Sequence, residues 1–177
     1  MKDKDLPKKS GLAGTRTEFI TQWGALGSQW GINRTMAQIH ALLMTAPGPM
    51  STDEVMAELQ ISRGNAHNNL KELSHWGLVR GVHIKGDRKE YFEAESDIWK
   101  LFCTITRERK KREVDPALDV LARCRDSAGD LEGEEAERFK ERLEELTDFV
   151  GGASKVMDRI TAAESSAILS RLLKLLG

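Results

Sequence analysis

STDEVMAELQISRGNAHNNLKELSHWGLVRGVHIKGDRKEYFEA, residues 51–94, decides the fold. It opens on Ser51-Thr52-Asp53-Glu54, a capping box: the Ser51 hydroxyl accepts from the amide three residues on, and the Glu54 carboxylate reaches back. The short helix it starts turns Val55, Met56 and Leu59 inward. Ile61-Ser62 is a turn, and Ser62 caps a second helix with Ala66, Leu70 and Leu73 on one face and Trp76 after them. Gly77 stands at the C′ position, where a left-handed residue ends a helix. There the hydrophobic period falls from about 3.6 to about 2. Leu78–Ile84 alternates as a strand, Lys85-Gly86-Asp87-Arg88 forms a turn tip, and Lys89–Ala94 returns as a second strand.

Two short helices, a tight turn and then a hairpin are the order of a winged helix-turn-helix. In that fold the second helix enters the DNA major groove, roughly 12 Å wide, so its outward face must bond base edges and phosphates. The outward residues here are Ser62, Arg63, Asn65, His67, Asn68, Asn69 and Lys71. Asparagine pairs bidentately with adenine, and arginine with guanine. The hairpin tip adds Lys85, Arg88 and Lys89, a thin basic edge suited to a minor groove or its flanking phosphates. From Ser62 to Lys89 there are six Lys and Arg against two Asp and Glu. His75, near the helix end, reads as structural.

Upstream, residues 1–14 read as a short flexible arm. Residues 15–30 form a helix with Phe19, Ile20, Trp23, Leu26, Gly27 and Trp30 on one stripe, capped by Thr15 or Thr17. A helix from about Arg34 to Thr45 follows, with Met36, Ile39, Leu42 and Leu43 inward, ended by Pro47-Gly48-Pro49. Downstream the chain is helical. Ser96 is the expected cap of a long helix bearing Ile98, Trp99, Phe102 and Ile105, whose middle, Arg107–Arg112, holds five basic residues in six. Pro116 starts a new helix or kinks this one, and Asp126–Gly133 is a polar loop. Residues 134–161 carry a heptad seam of Ala136, Phe139, Leu143, Leu146, Val150, Ala153, Met157 and Ile160. A last helix, Glu164–Leu176, is too apolar to stand alone in water. The fold expected is mainly α with a small β-hairpin wing: arm 1–14, winged helix-turn-helix 15–95, and helical dimerisation region 96–177.

The 177 residues split electrostatically. Residues 1–112 hold 18 Lys and Arg against 13 Asp and Glu, and residues 113–177 hold 9 against 15, so an anionic partner is expected to meet the first part. No stretch approaches 18 uninterrupted apolar residues, so no membrane span is expected. Met1–Ser10 is polar with no apolar run behind it, so a secretory signal is not expected either. Two cysteines, Cys103 and Cys124, read as small apolar packing in a reducing cytoplasm. There is no Gly-rich phosphate loop, no G-x-S-x-G, and no Cys/His pair at useful spacing, so neither an enzyme nor a cofactor is expected.

Three segments carry a family resemblance. They are Trp30-Gly31-Ile32-Asn33-Arg34-Thr35 with Ile39–Met44, the run from Met50 through Ser62-Arg63-Gly64-Asn65 to Trp76-Gly77-Leu78-Val79, and the tip Gly86-Asp87-Arg88-Lys89 before Tyr91-Phe92. In this order they resemble GbsR/MarR-type transcriptional regulators over residues 15 to about 105. Asn33 departs from the proline many members carry. The resemblance implies a two-fold dimer on double-stranded DNA, with the hairpin as the wing, and a link to choline or glycine betaine genes in some members. Choline is thus an implied effector, and Trp23, Trp30, Trp99 and Tyr91 are the aromatic residues for a cation–π cage. Helix packing is the favoured account of the same rings, as their stripe positions suggest. Two readings stand: a dimeric DNA-binding regulator, acting as a repressor and joined through its N- and C-terminal helices, or a winged-helix module that assembles proteins through its helical tail without binding DNA.

Overall fold

The computed structural model of the protein describes residues 11–163. It is helical apart from one small sheet, and it divides into two compact units between Ser96 and Asp97.

The first unit runs α1 (Leu12–Gln29), α2 (Arg34–Thr45), β1 (Met50–Ser51), α3 (Thr52–Leu59), α4 (Arg63–His75), β2 (Val79–His83) and β3 (Glu90–Ala94). Ile39 and Leu42 of α2, Val55 of α3, and Leu70 and Leu73 of α4 form its fully buried centre. Local signals set the helix starts. The Asn33 side chain accepts from Met36 N at 3.1 Å. The capping box is complete, with Glu54 N donating to Ser51 Oγ at 3.3 Å and Ser51 N donating to Glu54 Oε2 at 2.7 Å. Gly77, at φ 74°, ends α4 in the left-handed region. The sheet is antiparallel in the order β1-β3-β2, with Val79 opposite Ala94 and His83 opposite Glu90. Its third strand, Met50–Ser51 on Phe92 and Tyr91, is too short to show any alternation in the sequence.

The N-terminal helix departs from expectation. It starts at Leu12, inside the segment read as an arm, and neither threonine caps it. The Thr17 hydroxyl donates back to the Ala13 carbonyl at 3.0 Å, a bond within the helix. Of the expected stripe only Ile20 and Gly27 are buried, joined by Gly24, while Leu26 and Trp30 are exposed. The glycines let α1 approach α2 closely: a Cβ on Gly27 would lie 2.6 Å from the Ala37 Cβ.

The second unit runs α5 (Ile98–Arg109), a π-helical turn (Lys110–Val114), α6 (Asp115–Ala128) and α7 (Glu134–Ala162). Asp97, not Ser96, caps α5, its carboxylate accepting from Trp99 N at 2.9 Å and Lys100 N at 3.1 Å. The buried face of α5 is Leu101, Cys103, Thr104 and Thr106; of the expected inward set Trp99 and Ile105 are half-buried, while Ile98 and Phe102 are exposed. Pro116 lies in the first turn of α6, directly after the π-helical turn and inside a helical run unbroken from Ile98 to Ala128, so its missing N–H interrupts the hydrogen-bond ladder within that run. Lys110 in the π-turn donates to Asp115 Oδ1 at 2.8 Å and pairs with Asp158 at 3.4 Å, which raises its pKa. On α7 only Leu143 of the heptad seam is buried, and Phe139 and Leu146 are exposed together with Phe149 and Val156. The expected helix Glu164–Leu176 lies outside the described residues.

Candidate nucleic-acid interface

The first turn of α4 is organised by its cap: Asn65 N donates to Ser62 Oγ at 3.3 Å. This commits the Ser62 hydroxyl to the helix start while leaving the residue on the surface. Arg63, His67, Asn68 and Lys71 are exposed along α4, and Asn65 is half-buried. Asn69 does not point outward. It is buried, and its Nδ2 donates to the Asn65 carbonyl at 2.8 Å and to Asn65 Oδ1 at 2.7 Å. Asn69 therefore orients the Asn65 side chain by occupying its oxygen, which leaves the Asn65 amide nitrogen as that side chain's donor.

The wing tip is built around one carboxylate. Asp87 accepts from Lys89 N at 2.9 Å and from the Tyr91 hydroxyl at 2.7 Å, and Asp87 N donates to Ile84 O at 3.1 Å. The Lys89 amide first, and then the Tyr91 hydroxyl, lower the Asp87 pKa, and the same bond raises the Tyr91 pKa. Gly86, at φ 92°, takes the turn where a Cβ would be strained. Lys85 and Arg88 are exposed at this tip. On the strands, Arg80 forms an ion pair with Glu93.

Helix α4 and the hairpin meet on a residue to which the sequence reading gave no role of its own. Asp53, in the first turn of α3, pairs with Arg63 at 2.5 Å through Oδ1 and with Lys89 at 3.5 Å through Oδ2. All three side chains are exposed, and the residues lie 10 and 36 positions apart in the chain. Next to it, hydrogen bonds from the Ser51 hydroxyl and amide lower the Glu54 pKa, with Lys89 adding to the effect.

The four aromatic residues have these neighbours within their own units. Trp23 packs on Phe19 with ring centroids 5.4 Å apart, and Trp99 stacks on Phe102 at 5.6 Å. Trp30 ends α1 on the surface, and Tyr91 is tied to the wing by Asp87. The histidine outside the recognition segment, His40 of α2, is buried with Nε2 lacking a hydrogen-bond partner among the described residues. Burial lowers its pKa to about 4, so it is neutral at neutral pH.

Residues 30–90, the segment that holds this surface, match the model of the MarR family. The chain is 31% identical over 85 residues to the HTH-type transcriptional repressor GbsR of Bacillus subtilis, a match covering 48% of this chain and 47% of that protein, so about half the length of that relative is spanned. It is 25% identical over 145 residues to the HTH-type transcriptional regulator MmpR5 of Mycobacterium tuberculosis, covering 80% of this chain and 84% of that one. A crystal structure of a transcriptional regulator superposes with a TM-score of 0.68 at 22% identity, over 85% of this chain and 98% of that one, which is a likeness of fold.

Proposed function

We propose that this chain, a winged-helix protein of the MarR type, is a sequence-specific DNA-binding transcriptional regulator that works in the cytoplasm as a homodimeric repressor. The observation that carries this reading is the α4 surface with its wing. Arg63, Asn65, His67, Asn68 and Lys71 follow a capped helix start, and Lys85, Arg88 and Lys89 extend the same unit. Asn69 supports the reading from beneath by presenting the Asn65 amide nitrogen. A module built only for protein assembly calls for an acidic or apolar α4 face, and this face is neither.

Selection of bound sequences from a random duplex library by the purified protein tests the reading. An enriched palindrome with half-sites about one helical turn apart is expected. No enrichment together with no binding at low salt overturns it.

A small cationic effector such as choline belongs to the same proposal, with an aromatic side chain as its recognition chemistry. A ligand that binds only the folded state raises stability with concentration. A melting temperature that stays flat up to millimolar choline removes the effector and leaves the rings as packing.

A further inference from the structure

We propose that Asp53 is a specificity-determining residue, an internal competitor that holds Arg63 of the recognition helix and Lys89 of the wing against indiscriminate phosphate binding; this rests on the DNA-binding reading. One carboxylate spans the two elements, with Oδ1 on Arg63 at 2.5 Å and Oδ2 on Lys89 at 3.5 Å. The arrangement contributes little to stability, because all three groups are solvated and exposed ion pairs are weak in high dielectric. Its consequence lies in binding. The three groups together carry one positive charge where the two cations alone would carry two. A phosphate approaching Arg63 or Lys89 must displace the carboxylate or accept its repulsion.

That penalty falls unequally on right and wrong sequences. Binding to random DNA is almost wholly phosphate electrostatics and counterion release, so it bears the full cost of the extra negative charge. At a correct site Arg63 exchanges the Asp53 carboxylate for a bidentate contact with a base edge, a short-range gain that only the matching base supplies. Asp53 thus lowers affinity everywhere and lowers it least on the cognate sequence. Lys89 on the second oxygen extends the effect to the wing, so helix and wing are released together.

The test compares Asp53→Asn with the wild-type chain on the selected cognate duplex and on a random duplex, across a salt series, with circular dichroism melts to follow the fold. Asp53→Asn is expected to bind random DNA roughly three- to tenfold more tightly, to gain less on the cognate duplex, and to show a salt slope on random DNA steeper by about one to two phosphates. Asp53→Glu, which keeps the charge, is expected to stay near wild type. Unchanged or weaker random binding by a folded Asp53→Asn overturns the proposal. If Asp53→Asn melts below the assay temperature, Asp53→Ser, well tolerated near a helix start, makes the same measurement. A wild-type chain that binds no duplex at low salt removes the DNA-binding reading itself, whereas a binding wild type matched by Asp53→Asn removes only the role of Asp53.

Discussion

At the scale of single residues, the proposed interface predicts different losses for base contacts on α4 and phosphate contacts on the hairpin tip. Arg63→Ala or Asn65→Ala is expected to lower affinity for the cognate site by roughly 1–3 kcal/mol and to relax sequence preference. Arg88→Ala is expected to weaken all sequences evenly and to reduce the salt slope by about one. Fluorescence anisotropy over a salt series distinguishes the two patterns, and equal losses on cognate and random DNA for Arg63→Ala would refute its base contact. His40 gives a pH prediction. Burial lowers its pKa from 6.5 to about 4, so the unfolded chain takes up a proton that the fold resists. Its neutral form therefore contributes stability that is complete above about pH 6.5 and is lost as pH falls toward 4. The full shift corresponds to on the order of 3 kcal/mol. Urea midpoints should fall between pH 6.5 and 4.5, above the range where Glu54 and Asp87 begin to protonate, and His40→Gln should flatten that part of the curve. A flat wild-type curve across the window would contradict the burial of a neutral His40.

At the scale of elements, helix starts and helix faces alike were legible only in part: the starts of α3 and α4 were read correctly, and those of α1 and α5 were not. Ser51, Glu54 and Ser62 act within three residues of themselves, so their chemistry shows in the sequence, whereas the cap at Asn33 was missed. The inward face of α2 was also legible, since Met36, Ile39, Leu42 and Leu43 are all buried. The face of α5 was not, because Thr104 and Thr106 are buried there while Ile98 and Phe102 are exposed. Apolar spacing reports which residues share a stripe, and it is silent on which stripe meets a neighbour within the unit. Asn69 was misread for a related reason: its burial depends on the amide bonds it makes one turn back, to Asn65. The α1–α2 contact yields a prediction of its own. Gly27→Ala places a methyl 2.6 Å from the Ala37 Cβ, and it is expected to cost about 1–3 kcal/mol of unfolding free energy. Ala37→Gly in the same chain should recover part of that loss, as a double-mutant cycle by urea denaturation would read. Full additivity of the two changes would mean that the helices do not meet at this point.

At the scale of the whole molecule, exposed apolar side chains bear on assembly. In the first unit Leu12, Leu26 and Trp30 are exposed along α1, and in the second unit Phe139, Leu146, Phe149 and Val156 are exposed along α7. Several large apolar side chains exposed on one helix are costly to leave in water, so a second copy is expected to cover them. Sedimentation at micromolar concentration should give about twice the chain mass of 19.8 kDa, and a single-chain mass would refute the dimer. Leu26→Asp with Trp30→Asp should lower the mass toward one chain and abolish palindrome binding while leaving Arg63 and Arg88 intact. The expected contribution of Ile168, Leu169 and Leu172 to this surface lies outside the described residues.

The sequence by itself determined the order of the helices and the hairpin, the Ser51 and Ser62 helix starts, the turn glycines and the basic wing. Each of these depends on hydrogen bonds or backbone angles spanning a few residues, and such short-range chemistry is written in adjacent letters. Only the tertiary structure decided which side of α5 is buried, that Met50–Ser51 joins the wing as a third strand, and that Asn69 braces Asn65 from below. It alone brought Asp53 onto both Arg63 and Lys89, because α3, α4 and the returning strand must first be packed before residues 36 positions apart share one carboxylate.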